Sequence, residues 1–265
     1  MTDSRHTLTA IAAILEQTGR EIILPAFHAA IHTSSKSDGS IVTTTDLDSQ
    51  RFIQSKLAAL DAGIAFLGEE MRETDQLACL ADSHGQFWCL DPLDGTSNFA
   101  AHFPAFAISL ALIEGGMVQL ACIHDPVRHE SFTAIARQGA WLNGRAISSS
   151  AGKPLQESVG FVDFKRLKPT YAAALATKPC YRSQRNIGSC ALEWAWLAAG
   201  RGQFIIHGGE KLWDFAAGSL IAAEAGCIVG DFNGAPLFPA RTLSSPVLAA
   251  SDSQIQASLK LQLED

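Results

Sequence analysis

Apolar residues near the start of the chain recur at helical spacing. Leu8, Ile11, Leu15, Ile22, Ile23 and Phe27 predict an amphipathic helix over 7–33, with Pro25 as a kink or junction because its ring removes a backbone donor. The polar run SSKSDGS (34–40) reads as a loop. IVTT reads as a strand, and DLDSQRFIQSKLAALDAG as a second helix with Phe52, Ile53, Leu57 and Leu60 on one face and Gly63 at its end. IAFLGEE and FWCL then read as strands that end in acid. FAISLALIE and MVQLACIHDP flank Gly115-Gly116 and so predict a hairpin. SFTAIA and AWLNGRAIS continue as further strands.

From about residue 150 the pattern changes to alternation. VGFVDF, YRSQRNI, QFIIH and CIVGDF read as strands, and SCALEWAWLAAG and WDFAAGSLIAAEAG as helices. The first half therefore predicts helices on a largely antiparallel sheet, and the second an α/β unit. The expectation is one unit of the α/β class, with an α+β layered character. Its two lobes would be an N-terminal lobe over 1–149 and a C-terminal lobe over 150–265.

Composition narrows the function. A chain of 265 residues can bury roughly 70–75 % of its unfolded surface without staples. With 47 % apolar and 18 % charged residues it is not a disordered chain. Its 20 basic and 27 acidic side chains leave a net charge of −7, which argues against a general nucleic-acid binder. The six cysteines include no C-x-x-C pair and lie mostly in apolar runs. That argues against a zinc ribbon or a disulfide framework and for a reducing, cytoplasmic setting. The first residues lack a signal-peptide pattern, and no apolar run reaches the ~18 residues that span a bilayer, so no membrane association is expected.

Candidate chemistry concentrates in Asp91-Pro-Leu-Asp94-Gly95-Thr96-Ser97-Asn98-Phe99. Two aspartates stand three apart where an apolar strand ends. Pro92 disfavours helix at Asp91, Gly95 permits a sharp turn, and Thr96, Ser97 and Asn98 favour a helix start. Two carboxylates beside a helix N-terminus suit a divalent cation and a phosphate. The plain alternative is an Asx-turn with both aspartates bonded to backbone. Glu69 and Glu70 also end a strand, and Trp213-Asp214 opens a helix, where Asp214 alone would read as an N-cap. Three acidic element ends are harder to explain as three caps.

Taken together, WCLDPLDGTSNF, the upstream GEE and the downstream WDFAAGSLIAAEAG resemble the inositol monophosphatase family of lithium-sensitive, magnesium-dependent phosphomonoesterases. VTTTDLD, DPVRHESFTAIARQGAWLNGRAI and IGSCALEWAWLAAG extend the likeness over nearly the whole chain. The resemblance implies alternating helix and sheet layers, an αβαβα sandwich shared with fructose bisphosphatase. It implies two to three Mg²⁺ ions, with Glu69, Asp91 and the Leu93 carbonyl at one, Asp91, Asp94 and Asp214 at a second, and Glu69 reaching a third. It further implies catalysis by Glu69, Thr96, Asp46 and Asp94, in which water is deprotonated with help from Glu69 and from Thr96 paired to Asp46. Phosphate would sit on the N–H groups of Gly95 and Thr96. Lys36, Ser189, Cys190, His207 and Asp214 would complete the substrate contacts, and a homodimer is expected.

Position 207 changes the substrate expectation. Relatives that prefer inositol phosphates carry a glutamate seven residues before the last metal aspartate, and this chain has His207 there. An imidazole cannot reproduce a carboxylate's double acceptance. A second anionic group on the substrate, paired with a protonated His207, is then expected. Nearby Glu210 or Lys211 would face the leaving group. Substrate classes open to the same metal core are inositol phosphates, sugar bisphosphates, histidinol phosphate and 3′-phosphonucleotides. The reading from a different class is a regulatory protein that binds RNA polymerase or a ribosomal-RNA transcription complex, as some bacterial relatives do.

Overall fold

A computed structural model describes residues 2–29, 31, 33–35, 41–81, 85–150, 152–177 and 180–263. The first helix starts earlier and ends sooner than its periodicity predicts. It runs as α1 (Thr2–Thr18), widens into a π-helical turn over Gly19–Ile23, and closes as α2 (Leu24–Phe27). The π turn, closed by Leu24 N–H to the Gly19 carbonyl, comes just before Pro25. Gly19 is required there, because a Cβ would lie 2.9 Å from the Pro126 Cβ. The short antiparallel strands β1 (Thr33–Ser35) and β2 (Ile41–Thr43) follow. Lys36 lies outside the described residues.

Helix α3 (Thr44–Leu60) is started by a reciprocal cap. Thr43 Oγ1 accepts from Thr45 N–H at 3.2 Å, and the Asp46 carboxylate accepts from Thr43 N–H at 2.8 Å. The helix stops where Asp61 turns extended, two residues before the expected Gly63. The next elements are β3 (Ala65–Gly68), α4 (Glu73–Ala81), β4 (Gln86–Asp94), α5 (Thr96–Ala100), β5 (Ala107–Glu114), β6 (Met117–Asp125), β7 (Glu130–Ile135), β8 (Gly139–Leu142) and β9 (Arg145–Ile147). The seven strands from β3 to β9 form one sheet in sequence order, antiparallel except for β3 beside β4. Helix α4 was not expected.

The second half supplies β10 (Val159–Asp163), α6 (Pro169–Thr177), β11 (Ser183–Arg185), α7 (Cys190–Ala198), β12 (Phe204–Lys211), α8 (Leu212–Glu224), β13 (Ile228–Gly230), β14 (Ser244–Ala250) and α9 (Ser253–Leu263). Its sheet has the order β11-β10-β12-β14-β13, with β10 parallel to both neighbours and β14 antiparallel to both of its own. Strand β14 and helices α6 and α9 complete this half without having been read in the sequence.

The layers follow from strand alternation. On β4, Trp88 and Leu90 pack with Ile11 and Leu15 of α1 and Ile53 and Leu57 of α3. Phe87 and Cys89, on the opposite face, pack with α7 and α8 through Leu192, Ala195, Phe215 and Ala216. On β12, Ile205 joins that same central core, while Phe204 and Ile206 face Leu175 of α6 and Ile255 and Leu259 of α9. The result is the expected αβαβα sandwich, with α7 and α8 between the sheets. Those two helices pack closely enough that a Cβ on Gly218 would lie 2.3 Å from the Trp194 Cβ.

Candidate active site

The β4 strand ends in a bulge that sets the site. Asp91 pairs with Ser109 and Asp94 with Ala107, so β4 advances three residues while β5 advances two. The extra residue inverts the alternation and puts Asp94 on the same face as Asp91, toward α8. Pro92, which has no N–H to give the ladder, lies in the bulge. Asp91 then accepts from Leu93 N–H at 2.9 Å. Gly95 follows at φ +92°, where a Cβ would lie 2.9 Å from the Ala105 carbonyl oxygen, so glycine is needed on both counts.

Asp214 completes the cluster from the first turn of α8. It is the third helical residue rather than the N-cap, and it accepts back from Lys211 N–H at 3.1 Å. Oxygens of Asp91, Asp94 and Asp214 all lie within 4.8 Å of one another. Ser109, opposite Asp91, donates to the Trp213 carbonyl at 3.0 Å and ties the sheet to this turn. Asp94 accepts from the Ser189 hydroxyl and from Ala191 N–H at 2.8 Å, so the N-terminus of α7 holds it.

Such crowding is costly without a counter-charge. Burial raises Asp91 well above the usual carboxylate range, and Glu69, Asp94 and Asp214 add to the shift. Burial likewise raises Asp214, helped by Asp94, Glu69 and Glu210. Asp94 rises to about 6, chiefly from burial, against the opposing bonds from Ser189 and Ala191. Convergent hard oxygens that repel one another suit a hard divalent cation. Glu69 follows β3 and is placed by its own N–H to the Leu90 carbonyl at 3.1 Å. It lies outside the three-carboxylate cluster but acts on each member of it. Gly68 leaves the room that this turn needs, since a Cβ would fall 2.3 Å from Gln50 Oε1, which accepts from Glu70 N–H at 3.2 Å.

Thr96 and Asp46 meet across 50 residues of sequence. Thr96 Oγ1 donates to Asp46 Oδ1 at 2.9 Å, with the Leu93 carbonyl oxygen at 3.1 Å as a second acceptor. The other Asp46 oxygen accepts from Thr43 N–H at 2.8 Å and from the Thr43 hydroxyl at 2.5 Å. Burial raises Asp46 above the usual carboxylate range, against those hydrogen bonds.

Of the residues expected to touch substrate, Ser189 commits its hydroxyl to Asp94, and Cys190 opens α7 beside it. His207 is buried with both ring nitrogens engaged. Nδ1 accepts from Gly209 N–H at 3.1 Å, so Nε2 carries the hydrogen and faces Asp163 Oδ2 at 3.5 Å. With its donor directed at a carboxylate, His207 does not fit the expected second anion. The sequence reading also missed two supports. Asn98 Nδ2 bridges the Ala105 and Ile187 carbonyls at 2.7 and 2.8 Å, and Glu193 accepts from Ile187 N–H at 2.6 Å. Burial raises Glu193 to about 8. The one available signal was a glutamate inside the apolar run CALEWAWLA.

Similarity to known proteins agrees with the geometry. The family model described as "Inositol monophosphatase family" matches residues 4–264. Nus factor SuhB of Salmonella typhimurium (strain LT2) is 33 % identical over 240 residues, 86 % of each chain. Inositol monophosphatase 1 of Solanum lycopersicum is 32 % identical over 238 residues, 87 % of this chain and 86 % of the relative. The crystal structure of the extragenic suppressor protein suhB from Bartonella henselae superposes with a TM-score of 0.86 at 27 % identity, covering 98 % of this chain and 99 % of that one. A match along almost the whole length places this chain in the inositol monophosphatase family.

Proposed function

We propose that the chain hydrolyses a small-molecule phosphate monoester with the help of Mg²⁺. The observation that carries this reading is the Asp91–Asp94–Asp214 cluster beside the Thr96–Asp46 pair. Glu69, Asp91, the Leu93 carbonyl, Asp94 and Asp214 would hold the cations, two to three in number as in the family. When bound, Mg²⁺ supplies Lewis acidity, a lowered water pKa and charge to offset the phosphoryl oxygens.

The remaining chemistry belongs to the side chains. Asp46 orients the Thr96 hydroxyl by accepting its proton in a hydrogen bond. A lone pair of Thr96 Oγ1 then faces the site and accepts from the attacking water. As that water loses its proton, Glu69 is the nearby base, and Asp46, raised by burial, is suited to take a proton through Thr96. The N–H groups of Gly95 and Thr96 hold the phosphate. Ser189 and the first turn of α7 fix the Asp94 carboxylate, so we give Ser189 an orienting role beside its expected place near substrate.

The deciding measurement is phosphate release from inositol, sugar, nucleotide and histidinol phosphates, in Mg²⁺ and in EDTA. Release that requires Mg²⁺ supports the reading, and none from any ester in Mg²⁺ ends it. The 33 % identity to a relative named Nus factor SuhB supports a second reading, a regulatory role at RNA polymerase. Co-purification of polymerase with the metal-site variant D94N as well as with wild type would support it.

A further inference from the structure

Strand β12 repeats the arithmetic of β4. His207 pairs with Val247 and Glu210 with Ser245, so β12 advances three residues while β14 advances two. Glu210 thereby lands on the same face as His207 and Ile205, toward α7 and α8. The bulge is built in. Pro246 stands opposite with no N–H to offer, and a Cβ on Gly208 would lie 1.8 Å from the Arg166 carbonyl oxygen.

Glu210 is 1 % exposed. Its Oε2 accepts from the Trp194 indole N–H at 2.7 Å, while Oε1 is buried without a hydrogen-bond partner. Among the described residues it is the one carboxylate oxygen in that condition, which is an expensive one. The carboxyl sits against the site. It is the strongest charge acting on the Cys190 thiol, and it also raises Asp214. Burial pushes Glu210 itself up to about 8.

We propose that Glu210 is a specificity-determining residue whose Oε1 hydrogen-bonds a second hydroxyl on the leaving alcohol. The proposal rests on the phosphatase reading above. A hydroxyl both donates and accepts, so it pairs with this carboxyl in either protonation state. His207, on the same face, cannot serve, because both of its ring nitrogens are engaged. Trp194 anchors one oxygen and leaves the other to the substrate.

The test compares kcat/KM for inositol 1-phosphate and glucose 1-phosphate with that for cyclohexyl phosphate, a ring without further hydroxyls. Wild type should prefer a hydroxylated ester by about tenfold or more, and E210M should lose about tenfold of that preference. E210Q should keep it within about threefold, because its carbonyl retains the Trp194 bond and its amide still serves a hydroxyl. Melting curves with and without Mg²⁺ report whether the variants fold, and the wild-type preference is decisive even if E210M does not. No preference in wild type, or the same preference in E210M, overturns the proposal alone. No Mg²⁺-dependent release from any of the three esters overturns the phosphatase reading and the proposal with it.

Discussion

Strands β4 and β12 carry the same irregularity with different contents. Each advances three residues against two on its neighbour, and each thereby turns a pair of side chains three apart onto one face. On β4 the pair is Asp91 and Asp94, and a third acid from α8 closes on them within 4.8 Å. On β12 the pair is His207 and Glu210, and their partners are Asp163 and an indole N–H. The first pair is relieved by a proton at low pH and by a cation once it ionises. The second is mostly satisfied within the protein and leaves a single oxygen over. A proline lies in the bulged strand in one case and in its neighbour in the other, so the missing donor can come from either side. A bulge therefore fixes where two side chains point, and their chemistry decides what they bind.

The largest expected effect tests the β4 pair. D94N should lower kcat by about 10³-fold, about 4 kcal/mol of transition-state stabilisation, with the fold intact. The metal-free variant should melt no lower than wild type, since one repelling charge is gone. Circular dichroism with steady-state kinetics at saturating Mg²⁺ checks both, and a variant that keeps most of its kcat would remove Asp94 from the site. D46N should follow at about 10²-fold in kcat with little change in KM, because it misorients Thr96 without touching the cation ligands. A loss confined to KM would show that the Thr96–Asp46 pair binds rather than reacts.

Titration sharpens the comparison. Asp94 is raised to about 6, and Glu193 and Glu210 to about 8, above the ordinary carboxylate value near 4. The folded chain then holds more protons than the unfolded chain between those limits. Its stability is fullest below about pH 4 for these groups and falls as pH rises through 6 and then 8. Mg²⁺ binds the ionised β4 cluster and opposes the first part of that fall. The rise in Tm on adding Mg²⁺ should therefore be larger at pH 8 than at pH 5.5, by about 5 °C. E210Q should remove Glu210's share of the alkaline part of the metal-free profile, leaving that of Glu193 and the part near pH 6. Scanning calorimetry across pH measures both, and a Mg²⁺ effect independent of pH would break the link to the carboxylates.

The smallest effect belongs to His207. H207Q weakens the contact with Asp163 but removes no group that the mechanism uses. It should lower kcat/KM by less than about fivefold, close to 1 kcal/mol, and similarly for every ester. A selective loss on bisphosphates would restore the second-anion role that the geometry argues against.

Much of this was legible along the chain. The acid-bearing ends GEE, DPLDG and WD lie within short stretches where strand, turn and helix signals are strong, and most strands from β4 to β9 read as apolar runs bounded by turns. What escaped depended on distance or parity. Asn98 joins carbonyls 7 and 89 residues away, and the Asp46–Thr96 pair, 50 residues apart, was legible only through the family resemblance. Neither has a local signal. Helix α4 and strand β14 are short and weakly patterned, so their form depends on the sheets that they join.

Local chemistry alone determined that acids would stand at the ends of apolar strands and of a helix, that Gly95 would turn, and that helices on a largely antiparallel sheet would be followed by an α/β unit. These follow from propensity and periodicity, which act over a few residues. Only the tertiary structure decided which face Asp94 and Glu210 occupy. One residue of register inverts every side chain beyond it, and register is set by the neighbouring strand. The same holds for charge. Asp94 and Glu210 titrate high because folding removes water from around them and gathers like charges near them, and both causes exist only once distant segments have packed.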